Sequence, residues 1–265
     1  MDGITRRAST DFSPSAIGSQ TRTECVARAS PGPSLPRRFF AYNGGIVLDL
    51  SFGRRIYDWY GAHKNVYGAV RWISCVGREA SLQRRAIAAL GLKAGDTVLD
   101  LACGTGVNLP FLAELVGPTG RILAVDYSEG MLDAARRRVR HNGWPQIEFM
   151  QADAARMEVA PQSLDGAICT FGLSAMPGER AALLRVAAAL KTGARFVAFD
   201  AKPFTGWARM FNPINGPLFQ YATNWNYGKD ALGSIREVFD AVELREFNSG
   251  CNYIAVAVNG ETAAR

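Results

Sequence analysis

The sequence has few of the side chains from which metal sites and disulfide frameworks are built. It contains two histidines and five cysteines in 265 residues, and no two cysteines form a Cys-x-x-Cys arrangement. An odd number of scattered cysteines is typical of reduced thiols in a cytosol. Two histidines also leave little from which to assemble a histidine zinc site. The sequence therefore predicts no metal and a cytoplasmic location.

Long apolar runs and a strong charge bias are also missing. No run approaches the ~20 apolar residues that span a bilayer, and the first residues lack the continuous apolar core of a signal peptide. We therefore expect a soluble or peripheral protein. The net charge of +6 is modest for the length, and no recognisable RNA-binding module accompanies it, which argues against nucleic acid as a partner.

Composition divides the chain into three parts. Residues 1–36 are rich in Ser, Thr, Pro, Gly and Arg without sustained periodicity, which favours a disordered tail. Arg and Ser with few acids also fit a transit peptide. Residues 37–81 carry a basic excess and are expected to form an N-terminal helical cap, whereas residues 82–265 alternate regularly between helical and strand patterns.

This alternation predicts an α/β fold, a Rossmann-like, doubly wound and mostly parallel sheet of seven strands. Helical patterns separate the strands, which implies a parallel sheet wound on both sides. The last two strand patterns flank a short loop and predict an antiparallel C-terminal hairpin. The predicted strands are Thr97–Leu101, Arg121–Val125, Gln146–Met150, Asp165–Thr170, Ala194–Phe199, Val242–Phe247 and Asn252–Val258.

One strand end carries the most information. The apolar strand that contains Asp100 runs directly into a turn with Gly104 and Gly106. Such a turn lets a nucleotide-like ligand lie against bare backbone. Three residues after Gly106 stands Leu109 rather than the third glycine of the dinucleotide fingerprint, which weakens a nicotinamide interpretation.

The motif Asp-Leu-Ala-Cys-Gly-Thr-Gly at residues 100–106 resembles motif I of the class I S-adenosylmethionine (SAM)-dependent methyltransferases. Residues 190–195, Leu-Lys-Thr-Gly-Ala-Arg, are similar to the turn before the fifth strand in small-molecule members. The resemblance covers residues 82–200 by motif and extends by topology to about residue 259. It implies an enzyme with SAM as cofactor, in which the last strand is antiparallel.

Ligands of an open parallel sheet bind beyond the carboxyl ends of its strands. Asp126 ends the second strand and is placed to accept hydrogen bonds from ribose hydroxyls, as it would be for NAD too. Asp153 either accepts from the adenine amino group or caps a helix. The resemblance places Asp100 near the methionine amino group. The predicted cofactor-binding residues are Asp100, Ala102, Cys103, Gly104, Thr105, Gly106, Asn108, Asp126, Tyr127, Met131, Asp153, Ala154, Thr170 and Phe171.

Tyr57 and His63 are the candidate catalytic residues. The segment 56–62 resembles the Tyr-Asp element that precedes the core and covers the cofactor in ubiquinone-type and phospholipid-type methyltransferases. His63 follows this element and is a candidate base. The ring of Tyr57 either lines an acceptor pocket, where it stabilises a cation, or packs in the core.

The expected acceptor is an amphiphilic small molecule. Residues 170–174 replace the Asn/Asp-Pro-Pro-Tyr/Phe motif of methyltransferases that modify nucleobase amines or glutamine amides, which makes those substrates improbable. The resemblance identifies the aromatic insertion 203–229 as a substrate lid. Aromatic and basic residues occur together there, as suits an amphiphile. The aromatic residues of this insertion are Phe204, Trp207, Phe211, Phe219, Tyr221, Trp225 and Tyr227.

Three functions remain open at this point. Residues 169–177 and 200–203 loosely resemble bacterial phosphatidylethanolamine N-methyltransferases, which makes a phospholipid amine head group the first hypothesis. The alternative is O- or C-methylation of a quinone or secondary metabolite. The third is a non-catalytic SAM-binding partner subunit.

Contact with a membrane is a separate question. Apolar residues recur at nearly helical spacing between Lys64 and Arg78, and the basic residues Lys64, Arg71 and Arg78 flank them. This pattern fits an interfacial helix on an anionic membrane, and it fits equally a helix that covers the core. Peripheral membrane contact and the oligomeric state therefore stay open.

Overall fold

The computed structural model describes residues 40–42, 45–47 and 50–260, and the side chains of residues 53–260. The predicted disordered tail, residues 1–36, lies outside the described residues. Within the described part, no helix is both long and apolar enough to cross a membrane. The elements described are β1 Phe40–Tyr42, β2 Gly45–Val47, α1 Leu50–Ala62, α2 Lys64–Ser74, α3 Glu79–Ala88, β3 Thr97–Leu101, α4 Leu109–Val116, β4 Arg121–Asp126, α5 Glu129–Asn142, β5 Ile147–Gln151, β6 Leu164–Thr170, α6 Glu179–Ala189, β7 Leu190–Ala201, a 3₁₀-helix Gly206–Phe211, α7 Asn212–Thr223, α8 Ala231–Val238, β8 Ala241–Phe247 and β9 Asn252–Val258.

The main sheet has the predicted architecture. Its seven strands run in the order β5-β4-β3-β6-β7-β9-β8. Neighbours from β5 to β7 are parallel, whereas β9 pairs antiparallel with both β7 and β8. The chain turns outward in opposite directions after β3 and after β6, so the crevice between these two strand ends is where a ligand is expected. The predicted fold class is confirmed.

The two faces of the sheet build two apolar clusters. Leu99 of β3 belongs to a cluster with Leu183 of α6 and Ile235 of α8, whereas the preceding Val98 packs into a cluster with residues of α3, α4 and α5, among them Leu112. Successive side chains of a strand point to opposite faces, so a strand covered on both sides is apolar throughout. The exception within β3 is Asp100, which is fully buried.

The structure departs from the predicted boundaries by one residue at several strand ends and by more at two places. Strand β7 runs Leu190–Ala201 rather than the predicted Ala194–Phe199, because Leu190 already pairs with Leu164 of β6 before the register shifts. The predicted helical cap, residues 37–81, contains a short β1–β2 hairpin besides its helices, and its end falls inside α3.

Helix α1 is fastened to the start of α5. The carboxylate of Asp58 accepts hydrogen bonds from the Ser128 hydroxyl at 2.6 Å and from the Gly130 backbone N–H at 3.1 Å. Ser128 in turn caps α5 by accepting from the Met131 N–H. Gly61 and Gly130 let the two backbones approach, since a Cβ built on Gly61 would lie 2.2 Å from the Gly130 carbonyl oxygen. This junction holds α1 over the carboxyl edge of the sheet.

Adding a methyl group at this junction is expected to separate the two helices. Gly61→Ala should lower the free energy of unfolding by about 1–3 kcal/mol because the added carbon overlaps backbone atoms that cannot move aside. Gly68→Ala is the matched control, because a Cβ on that glycine of α2 would meet no atom within 4 Å; it should be neutral or stabilise by up to about 1 kcal/mol. Thermal or urea unfolding measures both. Equal stabilities for the two variants would contradict the close approach of α1 and α5.

Candidate functional site

A first cavity of about 810 Å³ lies at the carboxyl ends of β3, β4, β5 and β6, beneath α1. Two of its wall residues, Ala102 after β3 and Phe171 after β6, have positive φ of 54° and 55° without being glycine. Such backbone conformations cost energy and concentrate at functional sites.

The two glycines of the turn after β3 serve different purposes. Gly104 lines the first cavity with a φ of 55°, and a Cβ on it would meet no protein atom within 4 Å. The space beside Gly104 is therefore free for a ligand. Gly106 faces the protein instead, since its Cβ would lie 2.7 Å from Leu109 and 3.1 Å from Ala135. It allows the turn to pack against α4 and α5.

Asp126 anchors the turn from the end of β4. Its Oδ2 accepts from the Gly104 N–H at 2.8 Å, and its Oδ1 accepts from the Ser128 N–H at 2.9 Å. Burial raises the pKa of Asp126 to about 6, although these backbone hydrogen bonds favour the charged form. A carboxylate has about four acceptor positions. The side chain therefore keeps acceptor capacity for donors in the first cavity, such as a pair of hydroxyls.

Asp100 lies deeper, in a buried polar network. Its Oδ1 accepts from the Asn108 amide at 2.8 Å, and that amide also donates to the Thr170 hydroxyl at 2.8 Å and accepts from Gln83 at 2.7 Å. Oδ2 of Asp100 has no hydrogen-bond partner among the described residues. Burial raises the pKa of Asp100 to about 7. An unpaired buried carboxylate oxygen is costly, and a cationic N–H donor from a ligand would relieve it.

Some of the predicted cofactor residues line the first cavity, and the others lie behind those that do. Those that line the first cavity are Ala102, Gly104, Asp126, Tyr127, Met131, Asp153, Ala154, Thr170 and Phe171. The remaining ones do not line it: Asp100, Cys103, Thr105, Gly106 and Asn108. These five are buried or partly buried behind the wall, within the turn and the start of α4, or in the network under it. Nine of the fourteen predicted residues thus line the first cavity, and direct contact of the other five with a ligand stays a prediction.

The strand-end rule missed residues that reach the first cavity from elsewhere. Gly53 and Arg54 come from α1, and Asn224 comes from the end of α7. Arg54 lies over the ring of Tyr127, with its guanidinium carbon 5.4 Å from the ring centre. The resemblance of residues 56–62 to a covering element is the one sequence signal that pointed to α1. Other missed wall residues are Tyr67, Val125, Ser128, Ala152, Gly172, Ala175, Met176 and Pro177.

A second cavity, of about 1010 Å³, adjoins the first and shares four wall residues with it. Helix α2, the strand end after β7, and the insertion around α7 form its remaining walls. Phe204, Phe219, Trp225 and Tyr227 of the predicted aromatic insertion line it, whereas Trp207, Phe211 and Tyr221 are exposed. The shared residues are Tyr57, Tyr67, Phe171 and Ala175.

Tyr57 lies at the junction of the two cavities. Its hydroxyl donates to the Thr223 carbonyl oxygen at 2.6 Å, and the Tyr60 hydroxyl donates to the Ala222 carbonyl oxygen at 2.7 Å. Burial raises the pKa of Tyr57 well above its ordinary value. The phenol therefore stays protonated near neutral pH and acts as a positioned wall.

His63 lies outside both cavities. Its ring is exposed and stacks on Trp59, with 4.2 Å between the ring centres, and Nδ1 is 2.9 Å from the Trp59 carbonyl oxygen. A general base must come within hydrogen-bond reach of the proton that it removes. This position at the α1–α2 turn does not support the predicted role of His63 as a base.

Arg71 of α2 is a buried cation in the wall of the second cavity, where the sequence had indicated only a basic residue of an amphipathic helix. The residue is 6% exposed. Its Nη2 is 2.6 Å from a Glu79 carboxylate oxygen, while Nε has no hydrogen-bond partner among the described residues. The guanidinium carbon lies 5.7 Å from the ring centre of Tyr67 and 5.5 Å from that of Phe171.

The second cavity offers no counter-ion for a cationic ligand. Its described lining includes no aspartate or glutamate. The other lysine or arginine in that lining is Lys202, whose ammonium is paired with Glu246. The cavity is thus aromatic and apolar, and the Nε–H of Arg71 is its unpaired donor, while Glu79, outside the lining, pairs with Nη2 of the same guanidinium. It suits a flat apolar molecule that carries an acceptor oxygen.

Comparison with known proteins finds a family model that matches part of the chain. Residues 98–193 match the family model described as a methyltransferase domain. The chain is similar to the ubiquinone/menaquinone biosynthesis C-methyltransferase UbiE of Pseudomonas fluorescens, 32% identical over 146 residues that cover 51% of this chain and 57% of the relative. It is also similar to the demethylmenaquinone methyltransferase of Lactococcus lactis, 30% identical over 158 residues that cover 60% of this chain and 58% of the relative. The chain thus spans less than two thirds of the length of these relatives.

Solved structures share the fold at low sequence identity. A putative methyltransferase in complex with the Haloferax volcanii Trm112 activator superposes with a TM-score of 0.58 at 16% identity, covering 77% of this chain and 98% of that one. Phosphoethanolamine N-methyltransferase 2 of Haemonchus contortus in complex with S-adenosyl-L-methionine gives a TM-score of 0.54 at 15% identity, covering 68% and 53%. At these identities the likeness establishes the fold alone.

Proposed function

Because residues 98–193 form a methyltransferase domain, we propose that the protein transfers the methyl group of SAM to an aromatic, quinol-like acceptor bound in the second cavity. The family match confirms the resemblance carried by residues 100–106. The observation that carries the choice of acceptor is the buried guanidinium of Arg71, which meets no carboxylate lining that cavity among the described residues.

The side chains of the first cavity fit SAM. Asp126 would accept from the ribose hydroxyls and Asp153 from the adenine amino group, and the free space beside Gly104 would admit the cofactor against bare backbone. SAM carries an ammonium group on its methionine part, and the unpaired Oδ2 of Asp100 needs such a donor. The burial of Oδ2 without a hydrogen-bond partner among the described residues is explained if the ligand donates a hydrogen bond to it.

The second cavity favours a quinol over a phospholipid amine. An ammonium head group there would lie near the Arg71 guanidinium and would meet no carboxylate in the described lining of the cavity. The aromatic faces of Tyr67 and Phe171, which would otherwise bind a cation, are already covered by the same guanidinium. A phenol or carbonyl oxygen instead matches the free Nε–H of Arg71. The curated relatives are named a ubiquinone/menaquinone biosynthesis C-methyltransferase and a demethylmenaquinone methyltransferase, and these names support the same acceptor class.

The chemistry needs a positioned, electron-rich acceptor more than a protein nucleophile. When bound, SAM supplies an electrophilic methyl group on a sulfonium. Arg71 would donate from Nε to the acceptor oxygen, which favours loss of the phenol proton to water as the acceptor enters and raises the electron density of the oxygen and the adjacent ring carbons. Methylation at oxygen would then require no further proton loss, and after methylation at carbon the displaced ring proton would return to the phenolate oxygen. Tyr57 and Phe171 would hold the ring at the junction of the cavities and exclude water there. This route requires no histidine base.

The test is to locate the methyl group after turnover. Purified protein is incubated with methyl-labelled SAM and either chemically reduced demethylmenaquinone or phosphatidylethanolamine, and the products are separated by chromatography and identified by mass spectrometry. Label on the quinol, at carbon or oxygen, is expected. Label on phosphatidylethanolamine alone would contradict the proposed acceptor. Label on neither, with SAM binding intact, would favour the non-catalytic SAM-binding subunit.

A further inference from the structure

We propose that the surface around the mouth of the second cavity docks on an anionic lipid bilayer. The docking surface consists of the outward apolar residues of α2 and its following turn, and of the 3₁₀–α7 segment. The proposal concerns how the protein meets a membrane, and it stands whether or not the acceptor is a quinol. The residues of this docking surface are Val66, Trp72, Ile73, Val76, Trp207, Met210, Phe211, Ile214 and Leu218.

Helix α2 exposes large apolar side chains in addition to those that it directs inward. Trp72 is 59% exposed and Val76, in the turn that follows, is 65% exposed. Tyr67 and Val70 of the same helix line the second cavity. Core packing therefore accounts for one side of α2 and leaves the other without a partner in the described protein.

The 3₁₀–α7 segment repeats this arrangement on the opposite side of the cavity. Trp207 is 74% exposed and Ile214 is 71% exposed, whereas Phe219 of the same segment lines the second cavity. Soluble proteins expose single apolar residues routinely, but contiguous apolar surfaces mark interaction sites. Tryptophan in particular is enriched where an apolar phase meets water.

The exposed residues form the rim of the cavity. Ile73 and Val76 are exposed and at the same time line the second cavity from the α2 side. Asn212 and Asn215 line it from α7, next to the exposed Ile214. The mouth thus opens between two apolar elements. An apolar molecule that leaves a bilayer would pass into the cavity along this rim without crossing water.

The charge of this surface selects an anionic lipid as the occupant. The sequence contains no aspartate or glutamate between residues 59 and 78 or between residues 201 and 229. Lys64, Arg78 and Arg209 stand exposed in these stretches. Basic residues beside an apolar interfacial surface are attracted to anionic head groups. A second copy of the chain fits this surface less well. In a symmetric dimer the same cations of both copies would lie opposite one another, and these stretches contain no acidic residue to pair with them.

Vesicle sedimentation tests the proposal directly. The full-length protein is mixed with vesicles of phosphatidylcholine alone, or of phosphatidylcholine in which phosphatidylglycerol replaces part of the lipid. Stronger binding to the anionic vesicles is expected, and it should weaken as salt is raised. The double variant Trp72→Ser/Trp207→Ser should bind at least about tenfold more weakly. Leu184→Ser is the matched control, since Leu184 is an exposed apolar residue of α6, on another element.

The outcomes separate this proposal from the proposed reaction. SAM binding of every variant is measured in solution without lipid, and its retention shows that the variants fold. Loss of vesicle binding in the tryptophan variant, with the Leu184→Ser protein unaffected, supports the docking surface. Equal binding by both variants, no binding by the wild type, or a dimer that dissociates in the tryptophan variant would overturn it. Failure to methylate a quinol would leave the vesicle result unchanged.

Discussion

Asp126→Asn is expected to raise the dissociation constant for SAM about 100-fold, because hydrogen bonds to a charged group contribute about 1.5–3 kcal/mol each and every 1.4 kcal/mol is tenfold. The carboxylate accepts from the N–H groups of Gly104 and Ser128 and keeps acceptor capacity for the ribose hydroxyls. An asparagine amide presents an NH₂ group to one of these donors, so it loses an acceptor and adds repulsion. Isothermal titration calorimetry with SAM measures the effect.

The control for this prediction is another acid of the same domain. Asp133 on α5 is exposed and pairs with Arg136 outside both cavities. Asp133→Asn removes the same charge and should leave the SAM affinity within about twofold of the wild type, because an exposed pair contributes little. Similar affinities for the Asp126→Asn and Asp133→Asn proteins would remove Asp126 from the cofactor site.

Arg71→Met is expected to lower the turnover of a quinol acceptor about 100-fold, the usual loss when one preorganised donor to a developing or resident oxyanion is removed. The affinity for SAM should stay within about twofold, because Arg71 lines the second cavity and not the first. The pH dependence gives an independent signature. Without the guanidinium the pKa of the acceptor phenol is higher. The rise of turnover with pH should therefore occur at a pH about one unit or more higher in the variant than in the wild type.

Two controls separate this role from a structural one. Glu79→Gln removes the ion pair of Arg71 and keeps the guanidinium. If the loss of turnover in Arg71→Met came only from the broken ion pair, Glu79→Gln would lose as much turnover. Arg84→Met removes a guanidinium that also lies over an aromatic ring, 5.6 Å from the centre of Phe111, but away from both cavities. Both control variants should keep most of the turnover. An unshifted pH profile in Arg71→Met would contradict the proposed contact with the acceptor oxygen.

The sequence predicted the sheet and one side of the site because both follow from strand order. Apolar strands that alternate with amphipathic helices specify a parallel sheet, and its ligands lie at the carboxyl ends of the strands. Asp126, Asp153 and Phe171 were found in this way. Asp100 was predicted from the resemblance of residues 100–106, and its side chain ends on Asn108 behind the wall of the first cavity.

The other side of the site comes from segments whose placement no local pattern specifies. Helical spacing in α2 predicts a helix with an apolar stripe, yet it does not say that Arg71 points inward while Trp72 points to solvent. The same is true of the insertion 203–229, where Phe219 lines a cavity and Trp207 is exposed. These directions depend on contacts more than a hundred residues apart in the chain, such as the hydrogen bond from Tyr57 to Thr223.

The hydrogen bonds of Tyr57 and Tyr60 also bear on the order in which molecules leave after turnover. The two hydrogen bonds join α1 to the last carbonyl groups of α7. Gly53 of α1 and Asn224, the residue that follows α7, both line the first cavity. The rim of the second cavity lies between α2 and α7. Tyr57 and Thr223, which make one of these hydrogen bonds, also line that cavity, whereas Tyr60 and Ala222 do not. We expect separate exits: the methylated product leaves between α2 and α7, past Ile73 and Val76, whereas the spent cofactor leaves only after both tyrosine hydroxyls have released α7.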